Sequence, residues 1–205
     1  MSAEAIRNVA LALENRLKAA LSAANSNGST YVGPLDDRQA ANASLILFLY
    51  RVQPNLSLRN TEHRLGPATS GGSERSFANA LPLDLHFLLT VGPRTEAGEP
   101  ESLRLLGYAM QALNDNALLP PSQVAGEAVR ITLDSVSVDE MGRVWSLFPT
   151  VNYRTSVLYL ATPVWIDPAA MAQAAAATLG ATTSTGSGDN LGGSNGGGGG
   201  GGGAA

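Results

Sequence analysis

Hydrophobic residues recur every three or four positions at the start of the chain, with charged residues between them. This spacing predicts an amphipathic helix that buries one face. Residues 25–28 include Asn and Gly, which tolerate left-handed backbone, so we expect the helix to end there. The apolar positions are Ile6, Val9, Ala10, Leu13, Leu17, Ala20 and Leu21.

Four later segments have the patterns of β-strands. Residues 45–52 form a continuous apolar run, which predicts a strand covered on both faces. Residues 83–91 alternate apolar and polar positions, which predicts one buried and one largely polar face. Residues 129–133 alternate in the same way. Residues 155–166 form the fourth strand, and Pro163 indicates that this strand lies at a sheet edge at that point.

Three further segments have the patterns of helices. The first begins near Pro100 and should end before the prolines at 120 and 121. The second begins at a capping box formed by Ser137 and Glu140, and its apolar side ends in Trp145 and Phe148. The third is the alanine-rich segment 169–179.

The order of these elements predicts an α+β fold. Helices and strands are interleaved without strict alternation, which favours a mixed sheet of about four strands with helices packed mainly on one face. Residues 1–180 form the predicted domain. Residues 181–205 are rich in Ser, Thr and Gly and include an unbroken glycine run at 196–203. We expect this Gly-rich C-terminal tail to be disordered, because it has too little apolar surface to offset its chain entropy.

Composition removes several classes of function. The net charge is −4 and Lys18 is the only lysine, which argues against non-specific nucleic-acid binding. The absence of cysteine excludes disulfides and Cys-ligated zinc. No apolar stretch approaches the ~20 residues needed to span a bilayer, and charges interrupt the first 21 residues. We therefore expect synthesis in the cytoplasm without a signal peptide, and no membrane insertion.

Candidate chemistry is sparse. His63 and His86 are the only histidines, and His86 shares a predicted strand face with Asp84. A hydrolase built on that pair is one alternative, but the sequence has no G-x-S-x-G elbow and no metal-ligand spacing such as H-x-x-x-H. Gly71 and Gly72 lack the ending of a phosphate-binding loop. We predict no catalytic, metal or cofactor site.

Two segments are candidates for contacts with other proteins. Residues 53–82 form a long connection with little periodicity, and such loops are usually functional or mobile. The candidates at its start are Arg51, Asn55, Arg59 and Asn60, with loop-stabilising hydrogen bonds as the equally weighted alternative, particularly for Asn55. The second segment contains Trp145 and Phe148, whose helical spacing also fits residues of the core.

Three segments together resemble a known family. They are LILFLYRVQPNLSLRN at 45–60, LPLDLHFLLTVG at 81–92 followed by LRLLGYAMQAL at 103–113, and VRITLDSVSVDEMGRVWSLFPTVNYRTSVLYLATPVWID at 129–167. Their order and spacing resemble the cap, or tail-terminator, family of extracellular contractile injection systems of the antifeeding-prophage and virulence-cassette type. The Gly-rich tail and residues 61–80 depart from the family pattern.

The resemblance implies a structural protein rather than an enzyme. It implies a hexameric ring at the distal end of a contractile, phage-tail-like particle, where the ring stops growth of the tube and sheath and joins their last layers. The implied partners are copies of the chain itself and the terminal sheath and inner-tube proteins. Both a released and a retained particle fit this interpretation. The alternative is a tail-completion or connector protein of a contractile-tailed phage.

Overall fold

A computed structural model describes residues 3–65, 75–77, 79–93, 98–124 and 127–168. The predicted helix at 169–179, the predicted tail at 181–205 and the two glycines at 71 and 72 lie outside the described residues.

The described residues form four α-helices, one 3₁₀ helix and eight strands. In chain order these are α1 (Ala5–Ala23), β1 (Thr30–Val32), the 3₁₀ helix (Arg38–Asn42), β2 (Leu45–Pro54), β3 (His63–Leu65), β4 (Arg75–Phe77), β5 (Leu81–Val91), α2 (Gly98–Asp115), β6 (Leu118–Leu119), α3 (Pro121–Val124), β7 (Val129–Leu133), α4 (Val138–Trp145) and β8 (Ser156–Ile166).

Six strands form the main sheet, in the order β1-β2-β5-β8-β7-β6. The pairing of β1 with β2 is parallel and the other pairings are antiparallel, so the sheet is mixed, as predicted. The sheet has six strands rather than about four because β1 and β6, at its two edges, have only three and two residues. Strands that short are too brief to show a period of two. β3 and β4 pair with each other as a separate two-stranded sheet.

The two faces of the main sheet are covered by different helices. α1, α2 and α3 pack on the first face, where Val9, Leu13 and Leu17 of α1 belong to the same core as Leu85 and Phe87 of β5. α4 and the 3₁₀ helix cover part of the second face and form a smaller core. Three of the four α-helices therefore lie on one face, which confirms the predicted α+β class.

The prediction that β5 is buried on one face only is wrong. On its polar face Leu88 and Thr90 are fully buried and His86 is 7% exposed, while Asp84 is partly exposed. The reason is remote in sequence, because the second core that covers Leu88 comes from α4 and the 3₁₀ helix. The Thr90 hydroxyl is accommodated by donating a hydrogen bond to the Thr155 carbonyl at 3.1 Å.

β8 combines a central and an edge position. Its first part lies between β5 and β7, and its pairing with β7 extends as far as Thr162. From Pro163 onward β8 pairs with β5 alone among the described residues. The predicted edge at Pro163 is therefore confirmed for the last part of the strand, where a missing N–H costs no ladder hydrogen bond.

β2 is likewise less uniform than predicted. Only its first three residues, Leu45, Ile46 and Leu47, are buried on both faces, and these are the residues that pair with β1. From Phe48 onward the side chains are partly or fully exposed. The prediction of a strand covered on both faces is therefore correct only for the first three residues of β2.

Candidate interface residues

Asn55 directly follows β2 and precedes the turn at residues 56–60. Its side-chain amide donates to Asp84 Oδ1 at 2.9 Å and to Thr162 Oγ1 at 3.2 Å. Its Oδ1 accepts from the backbone amides of Ser57 and Leu58, each at 3.1 Å. The Asn55 side chain therefore fastens the turn to β5 and β8, which fits the loop-stabilising alternative.

The other three candidates of this region lie on the surface. Arg59 and Asn60 are exposed and belong to the turn that Asn55 fastens. Arg51 is exposed on β2, and its guanidinium group donates to the side-chain oxygen of Gln53. All three are accessible to another protein, and their role in an interface stays a prediction.

Trp145 and Phe148 lie in the second core, where they are 7% and 5% exposed. The ring of Phe148 meets Phe48 edge-on, with centroids 5.2 Å apart and planes at 77°. Trp145 packs against Tyr153 at 5.1 Å. The interpretation of both residues as core fits this burial. Two apolar side chains close to them in sequence, Leu147 and Tyr153, are exposed.

Asp84 and His86, the pair on which the hydrolase alternative would depend, each bond to other residues in the structure. Asp84 accepts hydrogen bonds from Asn55 and from the Thr162 hydroxyl, the latter at 2.5 Å. His86 instead has its Nδ1 2.8 Å from Asp134 Oδ2. Sequence analysis missed Asp134, although its place directly after β7 is a position where a polar residue can reach a neighbouring strand.

Burial and charge also affect Tyr50, beside His86. The two ring centroids are 6.0 Å apart. Burial raises the pKa of the Tyr50 hydroxyl, and the Asp134 carboxylate adds to the shift. The Asp134 carboxylate therefore bonds to His86 and also raises the pKa of Tyr50.

His63 joins the β3–β4 sheet to the main sheet. It is buried, with Nδ1 2.7 Å from Asp167 Oδ1, and its Nε2 lies 3.2 Å from Glu127 Oε2 at ion-pair distance but without hydrogen-bond geometry. Burial lowers the pKa of His63, and the Glu127 carboxylate opposes that shift. Sequence analysis assigned His63 no partner, because both acidic residues are far away in the chain.

Two kinds of feature are missing from the part of the chain that the structure describes. No group of three or more His, Cys, Asp or Glu side chains is placed to hold a metal ion. None of the described helices combines the length and apolar character required to cross a membrane.

Comparison with known proteins gives one family and two similar structures. Residues 8–179 match the model of the Pvc16 N-terminal domain family. No curated protein sequence matches the chain. The sheath/tube terminator of an extracellular contractile injection system, PVC, in its extended state has the same fold, with a TM-score of 0.54 and 20% identity over 80% of this chain and 56% of that one.

The second similar structure is the tube-terminating cap of the anti-feeding prophage. It has a TM-score of 0.52 and 19% identity, over 76% of this chain and 54% of that one. The chain thus spans little more than half the length of either structure. The family match and the shared fold confirm the resemblance predicted from the three sequence segments.

Proposed function

Since the chain belongs to the Pvc16 N-terminal domain family, we propose that it is a structural protein that closes the distal end of a contractile, phage-tail-like injection particle. The observation that carries the proposal is the family match over residues 8–179, together with the fold shared with two terminators. In this role the chain ends the tube and the sheath and joins their last layers.

The architecture suits a protein that bears load rather than one that turns over a substrate. Helices pack on both faces of the main sheet, so each face has its own apolar core. Close-packed cores resist deformation and transmit strain. The exposed Arg59 and Asn60 belong to a turn that Asn55 fixes to two strands, so they present polar groups in a defined place.

The distribution of histidine also supports a non-enzymatic role. Nδ1 of each histidine in the chain is bonded to a carboxylate, His63 to Asp167 and His86 to Asp134. Both imidazoles are buried. These contacts connect separate elements of the fold, and neither histidine forms the Asp84 pairing that a hydrolase would need.

The proposed active form is a hexameric ring of this chain that contacts terminal sheath and inner-tube proteins. A closed ring needs a different patch on each side of every subunit. The turn with Arg59 and Asn60 is our candidate for one of these patches.

Electron microscopy of particles made with and without the gene tests the cap. Particles lacking the protein should have irregular lengths and unclosed ends, because nothing stops tube and sheath growth. Uniform, closed particles without the protein would contradict the proposal. Mass measurement of the purified chain at high concentration tests the ring. A chain that is monomeric at high concentration, and that is present as a single copy in the particle, would contradict it.

A charge reversal tests the candidate patch. Arg59→Glu should prevent assembly of the ring or its incorporation into particles, while the urea midpoint of the isolated chain stays unchanged. Arg38→Glu, at another exposed arginine, is the matched control and should assemble normally. Normal assembly of Arg59→Glu would show that this turn is not part of the interface. The capping role would still be tested by electron microscopy of particles made with and without the gene.

A further inference from the structure

A groove runs along the exposed side of α1 where this helix meets α3, and we name it the Arg16 groove. It has a volume of about 420 Å³. Its lining residues on α1 recur with helical spacing, so they share one face of that helix. The lining includes Asn8, Leu11, Asn15, Arg16 and Ala19 of α1, with Gln123 of α3.

Arg16 is the one cation of α1 that has no carboxylate partner among the described residues. Arg7 and Lys18 each pair with a glutamate of the same helix, at 3.0 and 2.8 Å. The Arg16 guanidinium group instead donates from Nη2 to the Leu118 carbonyl at 2.8 Å, and its Nη1 makes no hydrogen bond with any described residue. Burial lowers the pKa of Arg16, the direction expected for a cation that loses hydration without gaining a carboxylate.

The Arg16 groove is therefore positively charged. Among the described residues that line it, Arg16 is the only charged one, and three side-chain amides supply further hydrogen-bonding groups. Leu11 is 42% exposed and adds an apolar surface. This composition is complementary to an exposed apolar side chain that stands beside a carboxylate, because the carboxylate compensates the guanidinium charge while the apolar contact excludes water.

The chain itself has such a pair of side chains in the first turn of α4, Val138 and Asp139, which we name the α4 tip. Val138 is 88% exposed, more than any other large hydrophobic side chain among the described residues. Asp139 is exposed, and its carboxylate makes no hydrogen bond or ion pair with any described residue. The capping box of Ser137 and Glu140 fixes this turn, so the tip is held in a defined place.

The groove and the tip lie on opposite sides of the main sheet. α1 and α3 pack on the first face, and α4 packs on the second. One copy of the chain therefore cannot bring its own tip to its own groove, whereas two copies can meet in this way. A contact between unlike surfaces on opposite sides of a subunit is head-to-tail, and such contacts generate a ring when the rotation closes.

We propose that the α4 tip of one copy docks in the Arg16 groove of the next copy. Asp139 then forms charge-assisted hydrogen bonds with the guanidinium group of Arg16, and such bonds are stronger than neutral ones. Val138 packs against Leu11. The inference rests on the proposed ring, because it assigns a contact between its subunits. The turn that carries Arg59 is a separate stretch of surface, and an interface of ordinary size has room for both contacts.

Cysteine cross-linking of the purified full chain tests this contact, because the chain has no cysteine of its own. Leu11→Cys and Val138→Cys chains are mixed at high concentration and treated with a short bis-maleimide reagent. The mixture should give a cross-linked dimer that joins positions 11 and 138. Leu103→Cys replaces Val138→Cys in the control, because Leu103 is 43% exposed but lies on α2, on the same side of the sheet as the groove. The control mixture should give roughly tenfold less dimer, since it lacks the matching contact.

A charge exchange tests the pairing within the contact. Asp139→Arg, added to the Val138→Cys chain, should lower the cross-linked yield roughly tenfold because two arginines then face each other. Arg16→Glu, added to the Leu11→Cys chain, should restore the yield with that partner. Asp115→Arg is the matched control for Asp139→Arg, since Asp115 is an exposed carboxylate on α2, and it should leave the yield unchanged.

The folding of each variant is checked by its urea midpoint. Leu11, Val138 and Asp139 are exposed, so their variants should keep the midpoint of the parent. Arg16→Glu loses the hydrogen bond to the Leu118 carbonyl. If that variant is unfolded, Asn15→Glu places a carboxylate at an exposed position of the same groove and should raise the yield with Asp139→Arg instead.

Three results would overturn the proposal. The first is a dimer yield no higher than that of the Leu103→Cys control. The second is an equal loss of yield in Asp115→Arg. The third is a charge-exchanged pair that does not recover. Any of these, with particles that still need the gene for closed ends, would leave the capping role standing. A cross-link between copies, with particles that close without the gene, would contradict the capping role alone.

Discussion

The imidazole of His63 lies parallel to the indole of Trp165, with ring centroids 4.4 Å apart and planes at 11°. Trp165 belongs to the end of β8 that pairs with β5 alone among the described strands. His63 is also tilted against Phe77 of β4, with ring centroids 5.8 Å apart. The histidine therefore connects the small β3–β4 sheet with the edge portion of β8.

Removing that connection should loosen β3 and β4 selectively. His63→Ala deletes the ring stack and the contact of the imidazole with the Asp167 carboxylate, so we expect a loss of about 2 to 4 kcal/mol in unfolding free energy. Amide hydrogen exchange should rise in β3 and β4. Arg64→Ala, at the exposed neighbouring residue, should stay within ~0.5 kcal/mol of the parent. Equal losses of unfolding free energy in the two variants would contradict the role of His63 in connecting the β3–β4 sheet with β8.

The turn after β2 should depend on the Asn55 side chain. Asn55→Ala removes its hydrogen bonds to Asp84, Thr162 and the following backbone, and we expect about 1 to 3 kcal/mol of destabilisation in urea unfolding. Asn60→Ala changes the same residue type at an exposed position nearby and should have little effect. A stable Asn55→Ala variant that fails to assemble would instead show a direct interface role.

The second core should respond strongly to truncation of Phe148. Phe148→Ala removes a buried ring that packs edge-on against Phe48, and we expect a cost of about 3 to 5 kcal/mol. Leu147→Ala is the matched control, because Leu147 is adjacent and 58% exposed. Thermal unfolding followed by circular dichroism distinguishes the two. A mild effect of Phe148→Ala would mean that the second core is not needed for folding.

Tyr159 should give the stability a specific dependence on alkaline pH. Burial raises the pKa of its hydroxyl to about 12, above the ordinary tyrosine value of about 10. Between these values the folded chain keeps a proton that the unfolded chain releases, so stability falls as pH rises through this range. Tyr159→Phe should show a smaller alkaline loss.

At neutral pH the same variant should be as stable as the parent or slightly more so. The Tyr159 hydroxyl is buried and makes no hydrogen bond within the described ranges, so phenylalanine removes an unsatisfied polar group and keeps the ring. Tyr153→Phe, at an exposed ring, controls for the loss of one phenol. A neutral-pH cost above ~1 kcal/mol in Tyr159→Phe would show that the hydroxyl has a partner.

Local patterns predicted the elements that depend on local interactions. The capping box of α4 forms as expected, with Ser137 accepting from the Glu140 amide and Glu140 accepting from the Ser137 amide. The amphipathic spacing of α1 placed Val9, Leu13 and Leu17 in the core. Both results follow from helical periodicity and capping, which involve residues a few positions apart.

Features that depend on distant segments could not be predicted in this way. The second face of β5 is buried by α4, which lies about 50 residues later in the chain and which no alternation within β5 can reveal. The partners of His63 and His86 are 104 and 48 positions away. Arg51, Arg59 and Asn60 are exposed, and their role in an interface stays a prediction. The register shift between Leu49 and Arg51 of β2 has no signal in a single sequence.

The central position of β8 has a consequence for biosynthesis. β8 is the last described strand to leave the ribosome, yet it fills the gap between β5 and β7 in the middle of the sheet. Until it emerges, β5 and β7 have unpaired edges, and the apolar surfaces of both cores are incomplete. Strand pairing of this kind is non-local and slow, and exposed edges favour aggregation. The nascent chain should therefore need protection during translation until residue 166 is available.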